Sequence, residues 1–314
     1  MTLSDKALDG SPRPLGVHSL DHFSLDVPCL ETARDFYASF GLDARVEGDA
    51  LVLRCFGDGH AWARLYQGPK KRLRQIAFGA WREDLGALRE RVEAEGIAVT
   101  PAEEGIDGFR FVDPDGNQVE VRVAAKVTPD CKSDVHFESV AGGERGSPYR
   151  RHAAQVQPRR LSHIMLFTPD LPRAVDFYGR ALGIRLSDRS EDIVAFMHTV
   201  HGADHHTVAF AQSSHRGFHH CSWDVASLNE VGLGAMRMVE KGWKDGWGFG
   251  RHVLGSNYFY YVRDPWGSYS EYSCDIDYVP AGVEWQAGNH PPEDSLYLWG
   301  PDVPAEFIVN HEEP

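Results

Sequence analysis

The stretch DHFSLDVPCLETARDFYASFGL (residues 21–42) comes back later in the chain as SHIMLFTPDLPRAVDFYGRALGI (residues 162–184). Each copy runs from a histidine through an apolar strand and a proline-containing turn into a helix that carries Phe-Tyr. Phe36 follows His22 by 14 residues, and Phe177 follows His163 by the same 14. An internal repeat of this kind has to be settled before anything else, because it fixes the architecture.

A second pair of segments supports the first. FRFVDPDGNQVEVRV (residues 109–123) matches YYVRDPWGSYSEYSC (residues 260–274), each reading as strand, DPxG turn and strand. Proline presets φ in such a turn, and glycine takes the positive φ that a tight hairpin needs. Glu120 follows Asp113 by seven residues, as Glu271 follows Asp264. The chain therefore reads as two copies of one domain, at residues 15–125 and 158–275. The polar, glycine-rich segment 126–157 between them reads as a linker. An arm at residues 1–14 precedes the copies, and a tail at residues 276–314 follows. The tail is too apolar to be free and is expected to pack on the second domain.

Each copy halves again. RQIAFGA opens a new strand that leads to the amphipathic helix REDLGALRERVEAEG, and HHCSWDV leads likewise to SLNEVGLGAMRMVEKG. The unit is strand–helix–strand–strand–strand, repeated four times. The expected class is α+β: four βαβββ modules in two tandem domains, with curved mixed sheets, helices outside and a concave inner face.

Composition narrows the function. The 314 residues include 42% hydrophobic types, enough for packed domains, and no apolar run approaches the roughly 20 residues that span a bilayer. With 32 basic and 46 acidic residues the net charge is −14, which argues against nucleic acid and anionic membranes as partners. The N-terminus lacks a signal pattern. Five cysteines without CxxC spacing point to a reducing compartment, the cytoplasm.

Superposing the copies asks which polar residues share strand positions. In the second copy these are His163, His220 and Glu271; in the first, His22, Gln75 and Glu120. Register selects His220 over its neighbour: Leu171 follows His163 by eight residues and Leu228 follows His220 by eight. His219 would be one residue out and face the other side of the sheet. Two imidazoles and one carboxylate form a facial triad, which suits non-haem Fe(II); Mn(II) accepts the same set. Gln75 is a weak, neutral ligand, so the first domain is expected to hold no metal.

With these residues in place, the chain resembles the type I extradiol ring-cleaving dioxygenases of the vicinal oxygen chelate superfamily, the trihydroxytoluene oxygenases being one group it is similar to. The resemblance covers nearly the whole chain. It is carried by LSHIMLFTPDLPRAVDFYGRALGI, DHHTVAF, RGFHHCSW and GRHVLGSNYFYYVRDPWGSYSEY. It implies a single site in the second domain, with His163, His220 and Glu271 as metal ligands and His206, His252 and Tyr261 as catalytic residues. Tyr261 and His252 would take up or stabilise the proton of a catechol-type substrate. His206 would stabilise charge on the second substrate, dioxygen, and donate a proton. An aspartate sometimes found after the GRH motif is missing, since Gly255 and Ser256 stand there, which leaves open how His252 is held. The family also suggests a homo-oligomer.

Two other readings compete. A metal-dependent isomerase or transferase of the same superfamily would need a second carboxylate or other fourth ligand as base and would have no use for His206 with Tyr261. A non-catalytic protein that binds an aromatic ligand would not need the triad. His198, His201, His205, His215 and His219 read as surface, packing or supporting groups. The loop GWKDGWGFG (residues 242–250) would either line the pocket or fill the space between helix and strand.

Overall fold

The computed structural model describes residues 13–137 and 139–312. The arm read at residues 1–14 lies outside them, apart from Arg13 and Pro14. Four modules follow in order. The first is β1 (Ser19–Val27), α1 (Leu30–Phe40), β2 (Asp43–Glu47), β3 (Ala50–Arg54) and β4 (Ala63–Gln67). Next come β5 (Arg72–Ala80), α2 (Leu85–Ala94), β6 (Thr100–Pro101), β7 (Gly108–Val112) and β8 (Gln118–Val123). The third module is β9 (Arg160–Thr168), α3 (Leu171–Leu182), β10 (Arg185–Ser190), β11 (Val194–His198), a short β12 (Ala203–Asp204) and β13 (Val208–Gln212). The fourth is β14 (Gly217–Asp224), α4 (Leu228–Glu240), β15 (Gly246–Arg251), β16 (Tyr258–Arg263) and β17 (Tyr269–Cys274). The tail adds β18 (Tyr278–Val279), paired with β12, and β19 (Gly288–Asn289), which extends the second sheet beside β10.

The sheets run β2-β3-β4-β1-β5-β8-β7-β6 and β15-β16-β17-β14-β9-β13-β11-β10-β19. Each module closes by pairing its first strand parallel to its last: β1 with β4, β5 with β8, β9 with β13, β14 with β17. A parallel return needs a crossover, and the helix with its following hairpin provides one. Two modules join through their first strands, antiparallel, as β1·β5 and β9·β14. These first strands therefore lie at the centre of each sheet.

Local chemistry explains the element ends. The Asp170 side chain caps α3 by accepting from the Arg173 N–H at 3.1 Å, and Ser227 caps α4 by accepting from the Glu230 N–H at 3.2 Å. Helix α1 stops at Gly41, where φ is +107° and a Cβ would stand 2.1 Å from the Val156 carbonyl oxygen. Both DPxG turns fold alike. Asp113 Oδ1 accepts the N–H groups of Asp115 and Asn117, and Asp264 Oδ1 those of Trp266 and Ser268. Gly116 and Gly267 take φ of +89° and +94°.

Alternation sorts the central strands. On β9, Ile164 and Leu166 join the helix-side core with Ala174, Phe177 and Tyr178, while His163, Met165 and Phe167 face a cavity. Every residue of β9, β14 and β17 is buried, as befits strands covered on both faces. The helix-side core is one continuous cluster that crosses from one half to the other. Helix α1 packs on α4 and α2 on α3. The Phe-Tyr motif also reaches across: Tyr178 Oη donates to Asp113 Oδ2 at 2.9 Å. In the other direction Tyr272 Oη donates to the Phe40 carbonyl at 2.7 Å, and the two rings stack at 3.8 Å.

Candidate active site

Strand register brings the triad together. Ser222, on β14, pairs with His163 of β9 on one side and with Glu271 of β17 on the other. His220 stands two residues before Ser222 and so shares its face. The His163 and His220 Nε2 atoms are 3.4 Å apart, and Glu271 Oε2 lies 3.4 Å from the first and 3.9 Å from the second. The three donors lie within 4.8 Å of one another, and all three residues are buried.

The carboxylate is prepared for a cation. Its Oε1 accepts from the Asn257 amide at 3.0 Å, and Asn257 also donates to Ser273 Oγ at 2.9 Å. Its Oε2 is buried with no hydrogen-bond partner. A buried, unpartnered carboxylate oxygen is costly unless a positive charge meets it. Burial pushes the Glu271 pKa up, but His163 and His252 outweigh it and hold the carboxylate below its ordinary range. Burial, reinforced by His219, pushes His220 well below the usual imidazole range, which favours the neutral ring a metal needs. Donor types, spacing and the orphaned oxygen all fit a divalent cation of the iron or manganese kind.

The other expected residues surround this cluster. His252 Nε2 is 3.0 Å from the Tyr261 hydroxyl and 3.7 Å from Glu271 Oε1. Burial, then the Glu271 charge, pushes the Tyr261 phenol well above its ordinary value. His252 Nδ1 donates to the Leu296 carbonyl at 2.5 Å, so a tail residue holds the ring that sequence left unsupported. The His206 ring lies 3.9 Å from that of His163, centroid to centroid, and borders the cavity. Its Nδ1 faces His205 Nδ1 at 3.1 Å. Burial, then His163 and His205, lowers its pKa well below the usual value.

One expectation is corrected. His219 does not face away from the site. β14 pairs with β9 through a bulge between Phe218 and His220, which interrupts strict alternation at His219. Both histidines consequently line the cavity, with Nδ1 atoms 2.7 Å apart. His219 Nε2 donates to the Phe307 carbonyl of the tail at 2.8 Å. The loop 242–250 fills space: Trp243 packs edge-on to Phe36, and Trp247 lies buried against Tyr261 and Phe307.

The cavity above the triad measures about 240 Å³. Met165, Phe167, Phe196 and Leu254 form its walls, and Leu296, Phe307 and Ile308 of the tail close it. Among the described residues Glu271 is its one acidic lining residue, and no lysine or arginine lines it. The tail is anchored beyond the cavity by Glu312, buried, whose carboxylate meets Lys71 Nζ at 2.8 Å and the Phe218 N–H at 2.9 Å. Sequence reasoning missed Asn257 and the tail residues. Asn257 sits in a Gly-Ser-Asn run that reads as an ordinary turn, and the tail carries no periodic signal.

In the first half Ala77 pairs with both His22 and Glu120, and Gln75 stands two residues before it. Here Glu120 Oε2 accepts from Arg110 Nε at 2.8 Å and from the Gln75 amide at 3.3 Å. Arg122 approaches its other oxygen at 3.5 Å. His22 Nδ1 is bound to Asp21 at 2.7 Å.

Comparison with known proteins finds relatives over nearly the whole chain. The chain is 50% identical to "Metapyrocatechase 2" of Cupriavidus necator over 298 residues, 94% of this chain and 93% of that one. It is 25% identical to "Iron-dependent extradiol dioxygenase" of Rhodococcus jostii (strain RHA1), over 92% of this chain and 98% of that protein. The crystal structure of a Mn(II)-bound glyoxalase from Novosphingobium aromaticivorans superposes with a TM-score of 0.76 at 28% identity, covering 95% of this chain and 96% of that one. A family profile matches residues 19–121 and 160–272, the two halves that the repeat defines. With both halves matched, the chain belongs to the Glyoxalase/Bleomycin resistance protein/Dioxygenase superfamily.

Proposed function

We propose that this chain is an extradiol dioxygenase. It opens the ring of a catechol-type substrate with dioxygen in the breakdown of aromatic compounds, as the name of its 50%-identical relative implies. The observation that carries this reading is the buried triad, with Glu271 Oε2 unpartnered, beside the His252–Tyr261 pair in a cavity walled by Met165, Phe167, Phe196 and Leu254. His163, His220 and Glu271 would hold the metal. Fe(II) is the resident ion on this reading, and relatives described as iron- and manganese-dependent match nine-tenths of this chain at 24–25% identity. Bound there, it supplies a Lewis acid and redox centre with open positions for both substrates.

The protein's own groups do the rest. Tyr261 Oη and His252 Nε2 form a hydrogen-bonded pair beside Glu271, placed to take up a proton from a diol hydroxyl. Leu296 accepts from His252 Nδ1, which leaves Nε2 to receive that proton. His206 faces the cavity from the His163 side and donates a proton to the reacting oxygen. The apolar walls and tail exclude water, which strengthens each of these interactions. An isomerase reading needs a second carboxylate or other fourth ligand to act as base. Among the described residues the donor cluster has three members, and Glu271 is its one carboxylate.

The second domain, residues 158–275, carries the site, and tail residues 276–312 cap it. Exposed Leu298 and Trp299 support a homo-oligomer, and five free cysteines support a reducing cytoplasm. No helix of the described residues is long and apolar enough to cross a membrane. The test is anaerobic loading with Fe(II), then oxygen uptake and absorbance with a panel of catechols. Stoichiometric uptake with a yellow ring-opened product is expected. No uptake with any member of the panel would sink the reading.

A further inference from the structure

Asp188, on β10, is a buried carboxylate with no part in the chemistry above. Four donors converge on it: His205 Nε2 at 2.9 Å, His290 Nε2 at 3.0 Å, the Trp285 indole N–H at 3.2 Å and the Gly288 backbone N–H at 2.8 Å. Burial pushes its pKa up, but His205, His290 and the Gly288 N–H outweigh this and bring it to about 2. Asp188 is therefore ionised near neutral pH. His205 is fully buried between this carboxylate and His206. The Trp285 ring stands edge-on to the His205 ring at 5.2 Å, and the His205 backbone N–H donates to the Asp277 carbonyl at 2.6 Å.

The chain of contacts has a direction. An ionised carboxylate only accepts, so His205 Nε2 carries a hydrogen. In the neutral ring Nδ1 is then bare. For the 3.1 Å contact between the two Nδ1 atoms to be a hydrogen bond, His206 must be the donor. We propose that Asp188 and His205 are positioning residues that lock His206 as its Nδ1–H tautomer, leaving Nε2 as the nitrogen that exchanges a proton in the cavity. Such an orienting partner decides which ring nitrogen works, as second-layer hydrogen bonds do for catalytic imidazoles elsewhere. What His206 does with that nitrogen rests on the dioxygenase reading; the tautomer does not.

A purely structural role for Asp188 is the alternative, because it also clamps tail residues 285–290 to β10. Two measurements separate them. First, 15N shifts of histidine-labelled full-length chain, loaded with diamagnetic Zn(II), report the tautomer; the His206 signal is assigned by its loss in His206→Gln. The unmodified chain should show Nδ1–H, and Asp188→Asn and His205→Phe should lose that preference. His205→Asn, whose amide oxygen can accept in place of Nδ1, should keep it. Second, in the Fe(II)-loaded enzyme, Asp188→Asn and His205→Phe should lower kcat roughly 10- to 100-fold with KM within about twofold. His205→Asn should recover most of the loss. Trp285→Phe and His290→Gln, which loosen the clamp but leave the Asp188–His205 and His205–His206 contacts in place, should leave kcat within about twofold.

An Nε2–H tautomer in the unmodified chain overturns the proposal. So does a kcat in Trp285→Phe or His290→Gln as low as that of Asp188→Asn. If His205→Phe fails to fold, the shifts of the unmodified chain and of His205→Asn still decide. If no catechol supports oxygen uptake, the dioxygenase reading falls and the shifts alone judge the tautomer.

Discussion

The two halves hold the same three strand positions and use them differently. In each, one residue of the later central strand, β5 or β14, pairs with both neighbours: Ala77 with His22 and Glu120, Ser222 with His163 and Glu271. Backbone geometry is thus common to both. What differs is the charge that meets the glutamate. In the first half the Arg110 guanidinium sits on Glu120, and Gln75 offers an amide; in the second, an asparagine holds one oxygen of Glu271 and the other is left without a partner. A metal position is therefore made as much by removing fixed cations as by adding imidazoles.

The sharpest way to break this comparison is to give the second half the first half's residue. His220→Gln should abolish tight iron binding and lower ring cleavage by roughly a thousandfold or more, read by metal content and oxygen uptake. His219→Ala should act less severely, because His219 touches His220 and the tail without belonging to the triad. Next in size is Asn257→Ala. It frees Glu271 Oε1 and should weaken metal affinity by roughly 10- to 100-fold, measured by competition with a chelator.

The reverse experiment tests the cation argument. Gln75→His alone should gain no second metal, since Arg110 still covers Glu120; Gln75→His with Arg110→Ala should raise the metal stoichiometry above one. A second metal in the single variant would show that the arginine is not what excludes it.

The smallest effect concerns acid. Burial lowers His198 and His201 to about 4, and His18 to about 3. Unfolded, these rings titrate near 6.5, so between that value and 4 the unfolded chain binds more protons than the folded one. Stability is therefore full above about pH 6.5 and is lost as pH falls toward 4. Thermal unfolding across that range should show the fall, and His201→Gln should make it shallower.

Much of this was legible in the sequence. Repeat spacing gave the modules, and aligning the copies placed His163, His220 and Glu271 at matched positions without any structure. Strand alternation failed at His219, because a bulge is a local irregularity of pairing that no periodic pattern reveals. The support for His252 was hidden for another reason. Leu296 acts through a backbone carbonyl, which every residue carries, from 44 positions away. Asp188 was invisible too: its partners come from two segments far from it in the chain, His205 and tail residues 285–290, and a lone aspartate in a strand has no signature.

The hydrogen bond from Tyr178 to Asp113, with the stacking of Phe40 on Tyr272, makes each half a component of the other. Cutting the gene at the linker would leave two fragments, each with a wound of apolar surface where its twin had been. The first half is therefore more than a spare copy: its residues complete the packing of the half that carries the triad, and the pair behaves as a dimer whose subunits lost the freedom to part.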